Sequence, residues 1–159
     1  MTNYIISAIT LDGDTNVYLN KRKIYNSNIV KWPFYEKVKI YDIKNILILE
    51  VVITGFYGCR RKISLKANNL TNNLNFEIIS KNIILTVNSD TIVFKKALKA
   101  FKYEGDFYVN DIYVGSIRNK ISFFSSELFY EFSHDKEINY YCVLLSLVLL
   151  RNEFNSGGG

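Results

Sequence analysis

Few side chains in this sequence could carry chemistry. His134 is the only histidine, so a Ser-His-Asp or Cys-His-Asn device would have to be built on it. It lies between Ser133 and Asp135, ahead of a helical pattern, where polar groups are expected as caps. There is no G-x-S-x-G elbow, and the remaining residues make no histidine–cysteine metal set. Cys59 precedes Arg60 and Arg61, cations that would lower a thiol pKa; Cys142 sits in an apolar run and reads as packing. Asp12-Gly13-Asp14-Thr15-Asn16 copies the first five positions of an EF-hand loop. Val17 then replaces the required Gly and Lys23 the bidentate Glu, so a plain hairpin turn is the stronger reading. Gly55-Phe56-Tyr57-Gly58 lacks the Lys-Ser/Thr and following helix of a phosphate loop. The expectation is a non-enzymatic protein that needs neither metal nor cofactor.

What remains is charge. The chain of 159 residues carries 20 Lys and Arg against 15 Asp and Glu, a formal net charge of +5. Two clusters stand out, Lys21-Arg22-Lys23 and Arg60-Arg61-Lys62, and these are the candidate lipid- or anion-binding residues. The 12 Tyr and 11 Phe could stack bases, but they alternate within strand-like runs, where aromatics build core and cross-strand pairs. Nucleic acid is therefore not an expected partner.

The elements that must position these residues read mostly as strands. Short β-branched and aromatic runs recur between turn residues at spacings typical of antiparallel meanders, about a dozen in all. They include Tyr4–Thr10, Val17–Leu19, Ile24–Tyr25, Lys37–Tyr41, Ile46–Thr54, Arg60–Leu65, Lys99–Tyr103 and Ile121–Phe124. Trp32-Pro33 marks a break, since Pro cannot donate to a central ladder. Asn68–Asn75 is the polar loop of the chain. The C-terminus departs from this pattern. Asp135 can cap a helix, with Glu137 favourable in its first turn. From Tyr140 to Leu150 only Ser146 is polar in eleven residues. That is too short for a bilayer, which needs about 20, yet a helix apolar on every side must be surrounded. A sheet curled around it would supply that surface. The predicted fold is mainly β: an antiparallel closed β-barrel of about a dozen short strands around a buried hydrophobic C-terminal helix. Residues 1–154 form one domain, and 155–159, ending in Gly157-Gly158-Gly159, a flexible tail.

Three phrases resemble the tubby C-terminal-like superfamily, which includes the phospholipid scramblases and the LURP-one-related proteins. Lys39-Ile40-Tyr41-Asp42-Ile43-Lys44-Asn45-Ile46-Leu47-Ile48-Leu49-Glu50-Val51 looks like that family's strand, turn and strand, with Asn45 where the family usually carries Gly. Ile112 to Lys120 is similar to the later strand that runs through a Gly into a basic residue. Leu128-Phe129-Tyr130-Glu131-Phe132, then Asp135 and Val143 to Leu150, looks like the terminal strand and central helix. The resemblance implies a barrel that meets phosphoinositide-like anionic lipid or an acidic protein partner. It assigns no individual binding residue.

Strand alternation adds one expectation of orientation. Arg60 and Lys62 should share one face and Arg61 the other. Ile63 and Leu65 follow on Arg61's face, which makes that the core side. Arg61 should then sit at the barrel mouth while Arg60 and Lys62 point outward. With no secretory signal and two cysteines, the expected setting is cytoplasmic, as a monomer with no transmembrane span, at most peripheral to a membrane. A small-ligand barrel and a pure protein-interaction domain are the alternative functions.

Overall fold

The structure, a computed structural model, describes residues 6–11, 14–55, 61–80, 82–97, 104–121, 126–133 and 136–154. The β-branched and aromatic runs form twelve strands among these residues, followed by one helix. The first half is β1 (Ile6–Leu11), β2 (Asp14–Leu19), β3 (Arg22–Trp32), β4 (Tyr35–Asp42), β5 (Leu47–Thr54) and β6 (Lys62–Asn68). The second half is β7 (Leu74–Ile79), β8 (Asn82–Val87), β9 (Asp90–Lys96), β10 (Gly105–Val109), β11 (Ile112–Ile121) and β12 (Ser126–Phe132), and α1 (Ile138–Phe154) ends the fold. Within each half, every strand pairs antiparallel with the next in sequence, and a β1–β12 ladder with Ile6 opposite Tyr130 joins the halves. The hydrogen-bonded order ends at β6 and β7. No ladder joins those edges among the described residues, although the two strands contact one another.

Alternating burial fixes the inward face. Val38 and Ile40 of β4, Leu49, Val51 and Ile53 of β5, Leu85 of β8 and Ile92 of β9 are all buried against α1 or its surroundings. Every helix residue from Tyr141 to Leu149 is buried, and the helix touches β4 on one flank and β8 and β9 on another. The sheet therefore curves around a helix whose stretch from Tyr141 to Leu149 has no solvent face, which is the condition for so apolar a stretch to be stable. Among the described helix residues, no span is long and apolar enough to cross a membrane. Ser146, inside the apolar run, donates to the Val143 carbonyl at 2.6 Å and receives the Tyr130 hydroxyl at 2.6 Å. Tyr130 closes a row of inward rings with Phe94, Phe107 and Phe132, centroids 5.1 to 6.3 Å apart. Gly115 leaves room for that row, since a Cβ there would lie 2.4 Å from the Phe132 ring.

Several sequence expectations need adjustment. The reading of Ile24–Tyr25 covers only part of β3, which continues through Asn26-Ser27-Asn28. Those residues have poor strand propensity, but ladders on both sides hold them. The strand placed from Arg60 begins at Lys62 and runs on to Asn68. Of the EF-hand-like segment, Asp14-Thr15-Asn16 is ladder: Asp14 opens β2 opposite Leu11, Thr15 is buried, and Asp14 Oδ1 accepts from Asn28, while Asp12 and Gly13 lie outside the described residues. Glu137 precedes the helix instead of lying in its first turn. Asn45 takes the left-handed conformation at φ 59, which Asn tolerates better than most residues. The expected Lys99–Tyr103 strand, residues Ser122–Phe124, the cap Asp135, His134, Cys59, Arg60 and the tail lie outside the described residues.

Candidate functional site

Because the strands alternate in direction, connections that follow odd-numbered strands lie at one end of the sheet, and those that follow even-numbered strands at the other. The β3–β4 hairpin and the β5–β6 connection share the first end. There the registers align Trp32 opposite Tyr35, Tyr35 opposite Thr54, and Thr54 opposite Lys62, one row across four strands. The next row on this face is Val30, Lys37, Val52 and Ser64. Ile29, Val38, Ile53 and Ile63 take the alternate positions and pack inward, so both rows face outward.

The outward face joins cations to aromatics. Glu50 stands between Lys37 and Lys39, 3.6 and 3.8 Å away. Lys37 lies 5.8 Å from the centre of the Tyr35 ring. A hydrogen bond to Tyr35, then the charges of Tyr35 and Glu50, hold Lys37 above the ordinary lysine range. Lys62 is exposed. Trp32 is 65% exposed, Phe34 54% and Val30 42%. On the inward side of the same end, Glu36 holds Lys31 at 3.6 Å and Arg61 at 3.9 Å. Arg61 is mostly covered, its side chain 20% exposed, because it shares Ile63's face and meets a carboxylate at the rim.

Of the six basic residues singled out in the sequence, Arg61 and Lys62 thus stand on opposite faces of one strand end, and Arg60 lies outside the described residues. Lys21, Arg22 and Lys23 are exposed at the β2–β3 turn, at the far end of the sheet. The two clusters do not come together. Sequence reasoning passed over Lys37 and Lys39 as surface members of an alternating strand. Their signal was the strict alternation of Lys37-Val38-Lys39-Ile40, which sends both ammonium groups to one face.

The far end is built differently. Asn72 donates to the Tyr141 hydroxyl at 2.6 Å and to Glu137 at 3.2 Å, so the β6–β7 connection is pinned to the start of α1. Tyr25 lies toward this cluster, and burial, then the nearby Tyr140 and Tyr141, push its hydroxyl pKa up. Ile112, Tyr113 and Lys136 line a cleft of about 320 Å³ at this end. Cys142 is fully buried, and burial pushes its thiol up to about 12, so it stays neutral and inert. Among the described residues no group of three His, Cys, Asp or Glu is placed to hold a metal ion. What the first end can do is bind: it presents outward cations beside exposed apolar rings. Comparison with family models, with curated proteins and with solved structures finds no match for this chain.

Proposed function

We propose that this chain is a non-enzymatic binding domain, a closed β-barrel of the tubby- or scramblase-like kind, that attaches to an anionic surface through the face carrying Lys37, Lys39 and Lys62. The contact between β6 and β7 and the helix buried by both halves of the sheet support closure. The observation that carries the function is the placing of outward cations beside exposed apolar side chains on one face. Lys37 and Lys39 flank Glu50 on that face, and Lys62 is exposed beside them. A few basic groups at a membrane surface give weak, salt-sensitive association, not anchoring. The small-ligand alternative is less well supported, because α1 occupies the space inside the sheet that such a ligand would need.

The test is sedimentation of the full chain with neutral vesicles and with vesicles containing phosphatidylserine, at low and high salt. Binding should require the acidic lipid and fall with salt. Lys62→Glu should weaken it several-fold, while Arg22→Glu, at the far end, should leave it unchanged, and neither should lower the melting temperature. Absence of pelleting at low salt would turn the reading toward an acidic protein partner.

A further inference from the structure

We infer that the β3–β4 hairpin is an interfacial anchor, with Trp32 and Phe34 entering the headgroup layer of an anionic bilayer while Lys37, Lys39 and Lys62 meet its phosphates. This rests on the anionic-surface reading above and adds to it the class of partner and the element that makes contact.

The first argument is conformational. Trp32 and Tyr35 pair across a two-residue turn, Pro33-Phe34, in which Phe34 has φ 70. Pro33 fixes its own φ near −65°, and a positive φ at the next residue is the pattern of a type II turn, a position that favours Gly or Asn. A bulky side chain there is an outlier that costs stability. Among the described residues, the other non-glycine positions with positive φ are Asn20, Lys21, Asn45, Ser80, Asn88, Asn110 and Asp111, all polar. Phe34 alone is apolar. A bulky ring thus stands where Asn or Gly would be less strained, and more than half of it is exposed.

The second argument is placement. Trp32 and Val30 lie on the same outward face of β3, and Phe34 lies beyond them at the tip. Single exposed apolar residues need no explanation, but a contiguous set rimmed by charge marks a contact surface. The hairpin holds a defined position, because the Phe34 carbonyl accepts the Gly55 amide at 3.0 Å.

The third argument chooses the occupant. Three apolar side chains supply far less than the roughly 1,000 Å² that a stable protein interface needs, so a second copy or a folded partner would gain little from them. A bilayer interface accepts such a tip. Trp favours the headgroup region, where its ring meets acyl chains and its N–H meets water or ester oxygens. Lysines one row behind it complement acidic headgroups and keep their ammonium groups in water.

Trp32 is the only tryptophan of the chain, so its fluorescence reports this one site. The full chain is titrated with vesicles of phosphatidylcholine alone and with vesicles that also contain phosphatidylserine, with and without brominated acyl chains. The expected result is a blue shift and bromine quenching with the acidic vesicles only. Trp32→Ala, which keeps its melting temperature because the site is exposed, should bind those vesicles about tenfold more weakly. Pelleting of the wild type with unshifted Trp32 emission, together with equal pelleting of Trp32→Ala, would overturn the anchor and leave the anionic-surface reading intact. No pelleting of the wild type overturns both. Emission already blue-shifted in buffer, with a dimer that Trp32→Ala dissolves, would instead assign the hairpin to a second copy of the chain.

Discussion

At the end of the sheet where even-numbered strands lead into odd-numbered ones, the turns are made by residues that tolerate left-handed backbone: Asn20-Lys21, Asn45, Asn88 and Asn110-Asp111. Their amides also tie neighbouring connections together. Asn110 donates to Asp90 and accepts from the Thr91 amide, Asn88 donates to Asn72, and Asn72 reaches Glu137 and Tyr141. At the opposite end the β3–β4 turn places Phe34 in the same backbone region, beside an exposed Trp32. One end spends its polar residues on closing the fold over the helix. The other presents exposed apolar side chains beside outward cations. The difference separates stability from binding in space, and mutations at the two ends should separate them in measurement.

The largest effect should come from the interior that both ends enclose. Leu145 is fully buried in the centre of α1, and an unpaired carboxylate there costs several kcal/mol, comparable with a domain's whole stability of roughly 5–15 kcal/mol. Leu145→Asp should be unfolded at room temperature by circular dichroism, as should a chain truncated after Ser133. A cooperative thermal transition in either would remove the helix from its role as the core.

Next in size is the contrast between the ends. Asn72→Ala leaves the Tyr141 hydroxyl without that donor and unties the β6–β7 connection, at a cost of about 1–3 kcal/mol, or several degrees in melting temperature. Trp32→Ala should stay within about 0.5 kcal/mol of wild type, as surface substitutions do. Equal losses at both sites would mean that the hairpin is structural after all and would dissolve the comparison.

Alkaline pH probes the interior shared by the ends. Burial raises the Cys142 thiol from 9.0 to about 12 and raises the hydroxyls of Tyr130 and Tyr25 above 10.0. In each case folding favours the neutral, protonated form. The stability this represents is therefore complete below the unfolded-state pKa and is lost as pH rises through the folded one. The urea midpoint should hold steady up to about pH 9 and then fall, steepening above 10, with Cys142 still inert to alkylating reagents at pH 8. In Cys142→Ala the decline should begin nearer 10, from a lower starting stability.

How much of this was legible in the sequence depends on whether the signal was local. The helix was, because Val143 to Leu150 is apolar on every side and leaves no orientation that water would accept. Most strands were, because their alternation is local too. The stretch Asn26-Ser27-Asn28 was not, since its strand state comes from ladders to β2 and β4 and not from its own side chains. The link from Asn72 to Tyr141 spans 69 residues and leaves no local pattern. Trp32-Pro33 was legible as a break but not as an exposed tip, because a lone aromatic before Pro reads equally as core. Arg60-Arg61-Lys62 drew attention as a run, yet alternation splits it between two faces. The dispersed Lys37 and Lys39 make the larger contribution to one surface.

The smallest effect is also the sharpest. Phe34→Asn gives the β3–β4 turn the residue type that the far end uses at its own left-handed positions. Asn tolerates φ near 70 better than a bulky ring does, and the ring it replaces is more than half exposed, so little burial is lost. The melting temperature should rise slightly, by the equivalent of about 1 kcal/mol or less. Vesicle binding should fall in the same variant. A gain in stability coupled to a loss of binding is the pattern expected when strain is kept for a surface function. If Phe34→Asn instead lowers the melting temperature, the ring is packed as part of the fold, and the two ends differ in composition but not in purpose.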